Sequence, residues 1–345
     1  MNILSMTYDQ VADEMKRAYG KGAFHAKALY REVFKNGRRK AFYEAPEFAA
    51  SLALAKQLEN DLVFAPGRIT ARSSDEGGVV KFAITLADNA VVETVIIPRQ
   101  GRTTLCVSTQ IGCRRGCVMC ATGACGFVRD LSAQEIVLQV FLARFELKSP
   151  IDNVVFMGMG EPFDNFDHVM QAISVLSDQR GFAVARRRIT VSTAGHVEGI
   201  VKMAALKIPQ VRLAVSLHAA DDLLRDRLMP INKRYPLGSL KEALRSLLIH
   251  KNDVIFIEYV LLAGINDSSE MADKLATYLH GLPVRINLIA YNPCKNLPFQ
   301  PPTPERLNLF RDCLVRKKLF VRIRRSYGGG IAAACGQLMA TLSPA

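Results

Sequence analysis

The sequence contains no tryptophan, and only 8% of its residues are aromatic. The tyrosines and phenylalanines form no ribonucleoprotein-type motif, which removes the aromatic-sheet mode of reading RNA bases. No stretch reaches the roughly 18 to 20 uninterrupted apolar residues of a transmembrane helix, so no membrane partner is expected. The amino-terminal MNILSMTYDQVADEMK lacks the charged, apolar and small-residue zones of a secretory signal, and a soluble cytoplasmic protein is expected. With 23 glycines and 15 prolines among 345 residues, 49% of them hydrophobic, collagen-like, low-complexity and wholly disordered classes are excluded.

Acidic residues are the scarcer charge: 32 Asp plus Glu stand against 45 Lys plus Arg, a formal net charge of +13. Such an excess points to a polyanionic partner, RNA or DNA ahead of an acidic membrane surface. The length allows a large core and suggests two domains. Of the eight cysteines, Cys106, Cys113, Cys117, Cys120 and Cys125 fall within twenty positions, with Cys294, Cys313 and Cys335 further on. In a reducing compartment this crowding signals metal or redox chemistry rather than a disulfide scaffold.

Three patterns succeed one another. From Tyr8 to Leu62 apolar residues recur at helical spacing, as in VADEMKRAY and FAASLALAKQLENDL, with Gly37 and Pro46 as breaks. Residues 1–62 are therefore expected to form a small helical accessory domain. Its basic turn, Lys35, Arg38, Arg39 and Lys40, reads either as a solvated face or as an RNA contact. Residues 63–98 alternate instead: RITARSS, KFAITLAD and VVETVIIP are expected to form a β meander. From residue 99 to 345, short β-rich runs such as NVVFMGMGEP, RRITVSTAG, VRLAVSLHA and VRINLIAYNP alternate with helical patterns. Ser132-Ala133-Gln134-Glu135 and Ser239-Leu240-Lys241-Glu242 read as capping boxes opening two of those helices. Repeated βα units predict an α/β fold with a full or partial (β/α) barrel, whose chemistry sits at the carboxyl ends of the strands.

Cys113-Arg114-Arg115-Gly116-Cys117-Val118-Met119-Cys120 places three thiols in one short loop. Thiolates are soft ligands suited to iron–sulfur clusters, and three of them on a four-iron cluster leave one iron open to a non-protein ligand. A structural zinc site is the alternative, but it normally takes four protein ligands, and either Cys106 or Cys125 would have to supply the fourth. Gly158-Met159-Gly160-Glu161-Pro162 closes an apolar strand with a glycine-rich turn.

The cysteine triplet followed by βα units resembles the radical S-adenosylmethionine (SAM) superfamily. The segments TTLCVSTQIGC, GMGEP, ITVSTAG, LAVSLHA, MPINKRYPL, FIEYVLLAGIND, INLIAYNP and AACGQL, in this order over about residues 90 to 340, narrow it to the RlmN/Cfr family of RNA adenosine methyltransferases. The resemblance implies a radical SAM partial barrel, with a [4Fe-4S] cluster on Cys113, Cys117 and Cys120. It implies SAM held by Gly160, Glu161, Ser192, Ser216, Leu217, His218 and Asn292. It further implies that Cys335 is methylated during turnover, that Cys106 resolves the adduct through a transient disulfide, and that Glu93 accepts a proton.

A carbon between two ring nitrogens of adenine is poorly nucleophilic, whereas a thiolate displaces a methyl group readily, so a methyl-cysteine relay is chemically apt. The implied substrate is carbon 2 of an adenosine in 23S ribosomal RNA, with transfer RNA as a second target. An external electron donor is implied as well, and a monomer is expected. Methylation at carbon 8, as in Cfr, would use the same residues. Gly330 and Ala332 stand where the family commonly has acidic residues, which leaves the RNA target open. Arg186-Arg187-Arg188, Arg316-Lys317-Lys318, Arg322, Arg324 and Arg325 are candidate phosphate contacts. Two other readings stay open: a non-catalytic, zinc-stabilised RNA-binding protein, and a radical SAM enzyme acting on a small molecule.

Overall fold

The computed structural model describes residues 1–206, 210–247, 254–295 and 297–339. The amino-terminal part is helical: α1 (Tyr8–Tyr19), α2 (Ala23–Phe34) and α3 (Leu52–Asp61). Helix α1 opens on a capping box between Thr7 and Gln10 and closes on left-handed Gly20. The unit shares one apolar core with the rest of the chain. Phe34 meets Phe182 edge-on at 5.3 Å, and Tyr8 N–H donates to Asp178 Oδ2 at 2.7 Å. In the basic turn, Arg38 pairs with Glu32 and Glu44, while Arg39 pairs with Glu146 and lies over the Phe141 ring. Its two arginines are thus engaged within the protein, and Lys35 and Lys40 remain exposed.

The meander consists of β1 (Gly67–Ser74), β2 (Val80–Leu86) and β3 (Val91–Arg99), followed by β4 (Arg102–Cys106), each antiparallel to the one before. A hairpin of β5 (Gln110–Gly112) and β6 (Phe127–Asp130) brackets the cysteine loop and the short helix α4 (Ala121–Ala124). Then β7 (Asn153–Phe156), β8 (Ile189–Thr193), β9 (Arg212–Ser216), β10 (Ile255–Leu261), β11 (Val284–Ala290) and β12 (Val321–Ile323) run parallel to β4 and to one another. Among the described residues they form one ten-stranded sheet in the order β1-β2-β3-β4-β7-β8-β9-β10-β11-β12. Its two ends do not pair, which makes the parallel part a partial barrel extended by the meander. The connecting helices are α5 (Ala133–Phe141), α6 (Phe166–Ser177), α7 (Val197–Ala205), α8 (Asp222–Leu228), α9 (Leu237–Leu247), α10 (Ser269–Leu279) and α11 (Pro304–Arg316).

Ser132 caps α5 as expected, its side chain and that of Glu135 bonding reciprocally. Ser239 does not open α9. That helix starts at Leu237, because Asp222 on α8 reaches across to accept from Leu237 N–H at 2.9 Å and supplies the cap from outside. No helix among the described residues is long and apolar enough to cross a membrane.

Candidate active site

A cavity of about 210 Å³ opens at the carboxyl ends of the parallel strands. Because side chains alternate along a strand, one row from each faces it: Cys106 on β4, Val155 on β7, Ser192 on β8, Ser216 on β9, Glu258 on β10 and Ile289 on β11. The cysteine loop covers one side. Cys113, Cys117 and Cys120 all line the cavity, each partly exposed. The loop is tied down by its backbone: Cys113 N–H donates to Gly126 O at 2.7 Å, and Val118 N–H to Leu228 O at 3.1 Å. Burial pushes the Cys113 thiol up to about 11 and raises Cys117 and Cys120 as well, with neighbouring sulfurs adding to the effect, Cys120 at Cys113, Cys120 and Cys113 at Cys117, and Cys294 at Cys120. Ligation would have to displace those protons.

Three thiols of one loop line one wall of the cavity. A structural zinc site takes four protein ligands, whereas a four-iron cluster held by three thiolates leaves one iron open to a non-protein ligand. Three soft donors on one wall therefore suit the cluster better than zinc.

The glycine-rich turn faces this loop. Gly160 has φ +96, and a Cβ there would fall 2.6 Å from the Gln110 side chain, so only glycine fits. Gln110 in turn accepts from Glu161 N–H at 2.9 Å and donates to Asp130 at 2.7 Å. The Glu161 carboxylate is buried, which pushes its pKa up, and it accepts from the N–H groups of Phe163 and Ala194. His218, also left-handed at φ +57, accepts from Val260 N–H through Nδ1 at 3.1 Å. Burial pushes its pKa down to about 3, so the ring is neutral and carries its proton on Nε2. Leu217 stands behind the wall: it is buried, and its backbone bonds Glu258 and Arg225.

The segment carrying Cys335 closes the wall next to the cysteine loop. Gly336 O accepts from Ala121 N–H at 2.7 Å, and Thr122 Oγ1 donates to Leu338 O at 2.6 Å, so this segment rests on the end of the cysteine loop. Asn292 Nδ2 donates to Cys335 O at 3.3 Å, and Gln337 Nε2 to Pro293 O at 2.9 Å. Cys335 is exposed and Cys106 buried, and both line the cavity. Burial pushes Cys106 up to about 12, with the Cys335 charge adding to the effect. Glu93 is buried on β3 outside the lining, its carboxylate held at 2.9 Å both by Lys81 Nζ and by Met339 N–H.

Residues 107–276 match the family model of the Radical SAM superfamily. The crystal structure of a radical SAM methyltransferase from Sphaerobacter thermophilus superposes with a TM-score of 0.91 at 37% identity, over 99% of this chain and 100% of that one. In sequence, the chain is 42% identical over 340 residues to the probable dual-specificity RNA methyltransferase RlmN 1 of Protochlamydia amoebophila, covering 98% of this chain and 94% of the relative. The chain belongs to the RlmN family of radical SAM RNA methyltransferases. It is also 46% identical over 280 residues to the dual-specificity RNA methyltransferase RlmN of Desulfotalea psychrophila, which spans 78% of this chain and 76% of that one.

Within this RlmN-family frame two arginines gain roles that the sequence hid. Arg225, fully buried in α8, donates to Ala194 O, Leu217 O and Asn232 Oδ1 at 2.7, 3.1 and 2.8 Å, pinning the segments after β8 and β9 that carry the site. Its surroundings in sequence, DLLRDRL, look like an ordinary solvated helix. Arg324 does not track the surface as a phosphate contact: its side chain turns into the cavity and pairs with Glu258 at 3.5 Å. Arg186, Arg187, Arg316, Lys317 and Lys318 are exposed, as a phosphate-contacting set requires.

Proposed function

We propose that this enzyme methylates a ring carbon of adenosine in RNA, carbon 2 in 23S ribosomal RNA first and a transfer RNA adenosine second, through a methyl-cysteine on Cys335. The observation that carries this reading is the meeting of Cys335 and Cys106 in the cavity that Cys113, Cys117 and Cys120 also line. Relatives named dual-specificity RNA methyltransferases support two RNA targets.

The donor set fits the implied groups. Cys113, Cys117 and Cys120 would hold a [4Fe-4S] cluster, and Gly160, Glu161, Ser192, Ser216, His218 and Asn292 would hold SAM, with Leu217 contributing through its backbone. When bound, cluster and SAM together supply the methyl group and a carbon-centred radical, given an external electron donor. Cys335, exposed on its segment, serves as methyl carrier and then as the tether to the base. Neutral His218 offers Nε2–H as a donor without adding charge. Glu93 takes the proton from the substrate carbon, which requires it to leave Lys81 and Met339 N–H. Cys106 frees the product by attacking the Cys335 sulfur, and a reductant resets the pair.

Residues 1–62 and 63–98 act as accessory parts around the barrel of residues 99–345, and exposed cations supply RNA affinity. The free thiols of all eight cysteines suit a reducing cytoplasm. The test is nucleoside mass spectrometry after anaerobic reaction of reconstituted enzyme with SAM, reductant and unmodified ribosomal or transfer RNA. New 2-methyladenosine is expected. Production of 8-methyladenosine instead would move the reaction to the other carbon, and no methylated adenosine despite SAM cleavage would overturn the substrate.

A further inference from the structure

The end of the partial barrel away from the cavity carries a group of side chains that the reaction does not use. Ser216, Glu258, Ile289 and Arg324 line the cavity, and residues at every second position toward the strand starts share their face. Arg212 on β9, Phe256 on β10, Arg285 on β11, and Phe320 and Arg322 just before and on β12 therefore lie on the inner face near the amino ends of these strands. Phe256 stands in register with Arg285, and Ile286 N–H donates to Phe320 O at 2.9 Å, which makes the set neighbours across the sheet. The Arg212 guanidinium lies 5.8 Å from the centre of the Phe256 ring, and those of Arg285 and Arg322 lie 5.4 and 5.2 Å from that of Phe320. Cation and ring thus alternate from β9 to β12.

The three arginines are exposed, and Phe320 is 48% open to solvent. Arg187, exposed in the 3-10 turn before β8, joins them. Partial burial lowers the pKa of Arg212, and the charges of Arg285 and Arg187 add to it, so these guanidinium groups share one field. Among the described residues no carboxylate answers that field. Arg187, Arg212, Arg285 and Arg322 make no ion pair, while Asp152 is taken by Arg188 at 3.1 Å and Glu258 by Arg324 at 3.5 Å. Like charges gathered on an open face repel one another, and a bound polyanion relieves that repulsion.

We propose that this end of the barrel is a second RNA contact, where a single-stranded stretch of the substrate, apart from the nucleotide in the cavity, lays its phosphates on Arg212, Arg285 and Arg322 and a base on Phe320. This rests on the RNA substrate proposed above. Guanidinium groups meet phosphate oxygens through paired N–H donors. An exposed ring flanked by two of them offers a face on which any base can stack. A small polyphosphate would use the arginines alone, and it is the open ring that favours a strand carrying bases. Contacts of this kind add affinity and orientation without choosing a sequence. The residues come from strands separated by helices, so they show none of the local spacing of a ribonucleoprotein motif.

The test measures binding of a short fluorescent oligouridine, which offers no adenine to the cavity, to the reconstituted full-length enzyme over a salt series. Wild type is compared with the double variant Arg212→Gln, Arg285→Gln and with Phe320→Ala, with thermal melting, iron content and SAM cleavage as controls of folding. The double variant is expected to bind about tenfold more weakly, with the slope of log affinity against log salt smaller by about 1.4, the share of two phosphates on a single strand. Phe320→Ala, which changes no charge, should bind about fivefold more weakly with the slope unchanged, as loss of one stacked base requires. Unchanged affinity and slope in both folded variants would overturn the inference. Loss in the arginine variant alone would make this a site for small polyphosphates and overturn the RNA strand. If the wild type makes no methyladenosine while both losses appear, the methylation reading fails and the contact stands; methyladenosine with unchanged oligouridine binding fails the contact alone.

Discussion

The two sides of the cavity are built differently. On the strand side, Ser192, Ser216, Leu217, His218 and Asn292 sit at the end of a β-strand or one or two residues beyond it, Gly160 and Glu161 lie on the turn that follows β7, and buried side chains such as Arg225, Gln110 and Gln139 fasten those ends together. On the carboxyl-terminal side, Cys335 lies in a segment without a strand or a long helix, turning through left-handed Gly328, Ala332 and Gly336. What holds that segment is borrowed from elsewhere: Ala121, Thr122, Asn292 and Pro293, with Lys81 Nζ donating to Ala332 O at 3.2 Å. The contrast matches the work proposed for each side. Groups that bind and orient belong on rigid elements, whereas a thiol that carries a methyl group, a base and a disulfide in turn needs room to move.

Breaking the cysteine loop, which spans both sides, should cost most. Alanine at Cys113, Cys117 or Cys120 is expected to abolish both SAM cleavage and RNA methylation, read with iron content. Alanine at Cys335, on the carboxyl-terminal side, should abolish methylation while iron binding and SAM cleavage persist, separating the two halves of the cavity functionally. Replacing Cys106 by alanine should instead trap RNA on the protein, seen as a nuclease-resistant mass on the Cys335 peptide; normal turnover without an adduct would remove its resolving role.

Arg225→Met sharpens the comparison at lower cost. It leaves buried carbonyls at the ends of β8 and β9 unpaired, and a loss of about 3 kcal/mol is expected in denaturant unfolding, with Cys335 alkylation little changed. The last expectation appears only in acid. His218 is held neutral in the fold, its pKa pushed down to about 3, whereas the unfolded chain protonates near its ordinary value of 6.5. Its contribution is therefore intact above about pH 6.5 and lost progressively as pH falls toward 3. A His218→Gln variant should show a flatter stability profile across that window.

The spacing of Cys113, Cys117 and Cys120, the alternation in the strands and the Ser132 cap were legible in the sequence because each is a local signal whose geometry follows from neighbours. Ser239 shows where such a signal misleads: serine and glutamate stand at capping distance, but a carboxylate from another helix caps the turn two residues earlier. Arg225 and Arg324 were illegible for the same reason in reverse. Charged residues in polar surroundings look solvated, and only the fold turns them inward, where carbonyls and Glu258 await them. Glu93 lies in a run of β3 that is buried from Val91 to Ile96, and nothing in the strand's sequence reveals that Lys81 and the backbone of Met339 claim its carboxylate.

β4 is antiparallel to β3 and parallel to β7, and its Cys106 stands in register with Val155. Everything between these two strands, the cysteine loop included, is an excursion from a sheet that is continuous without it. The pairing of β4 with β7 is made by the backbone of the two strands alone, so this wall of the cavity is complete without any contribution from the loop that carries Cys113, Cys117 and Cys120.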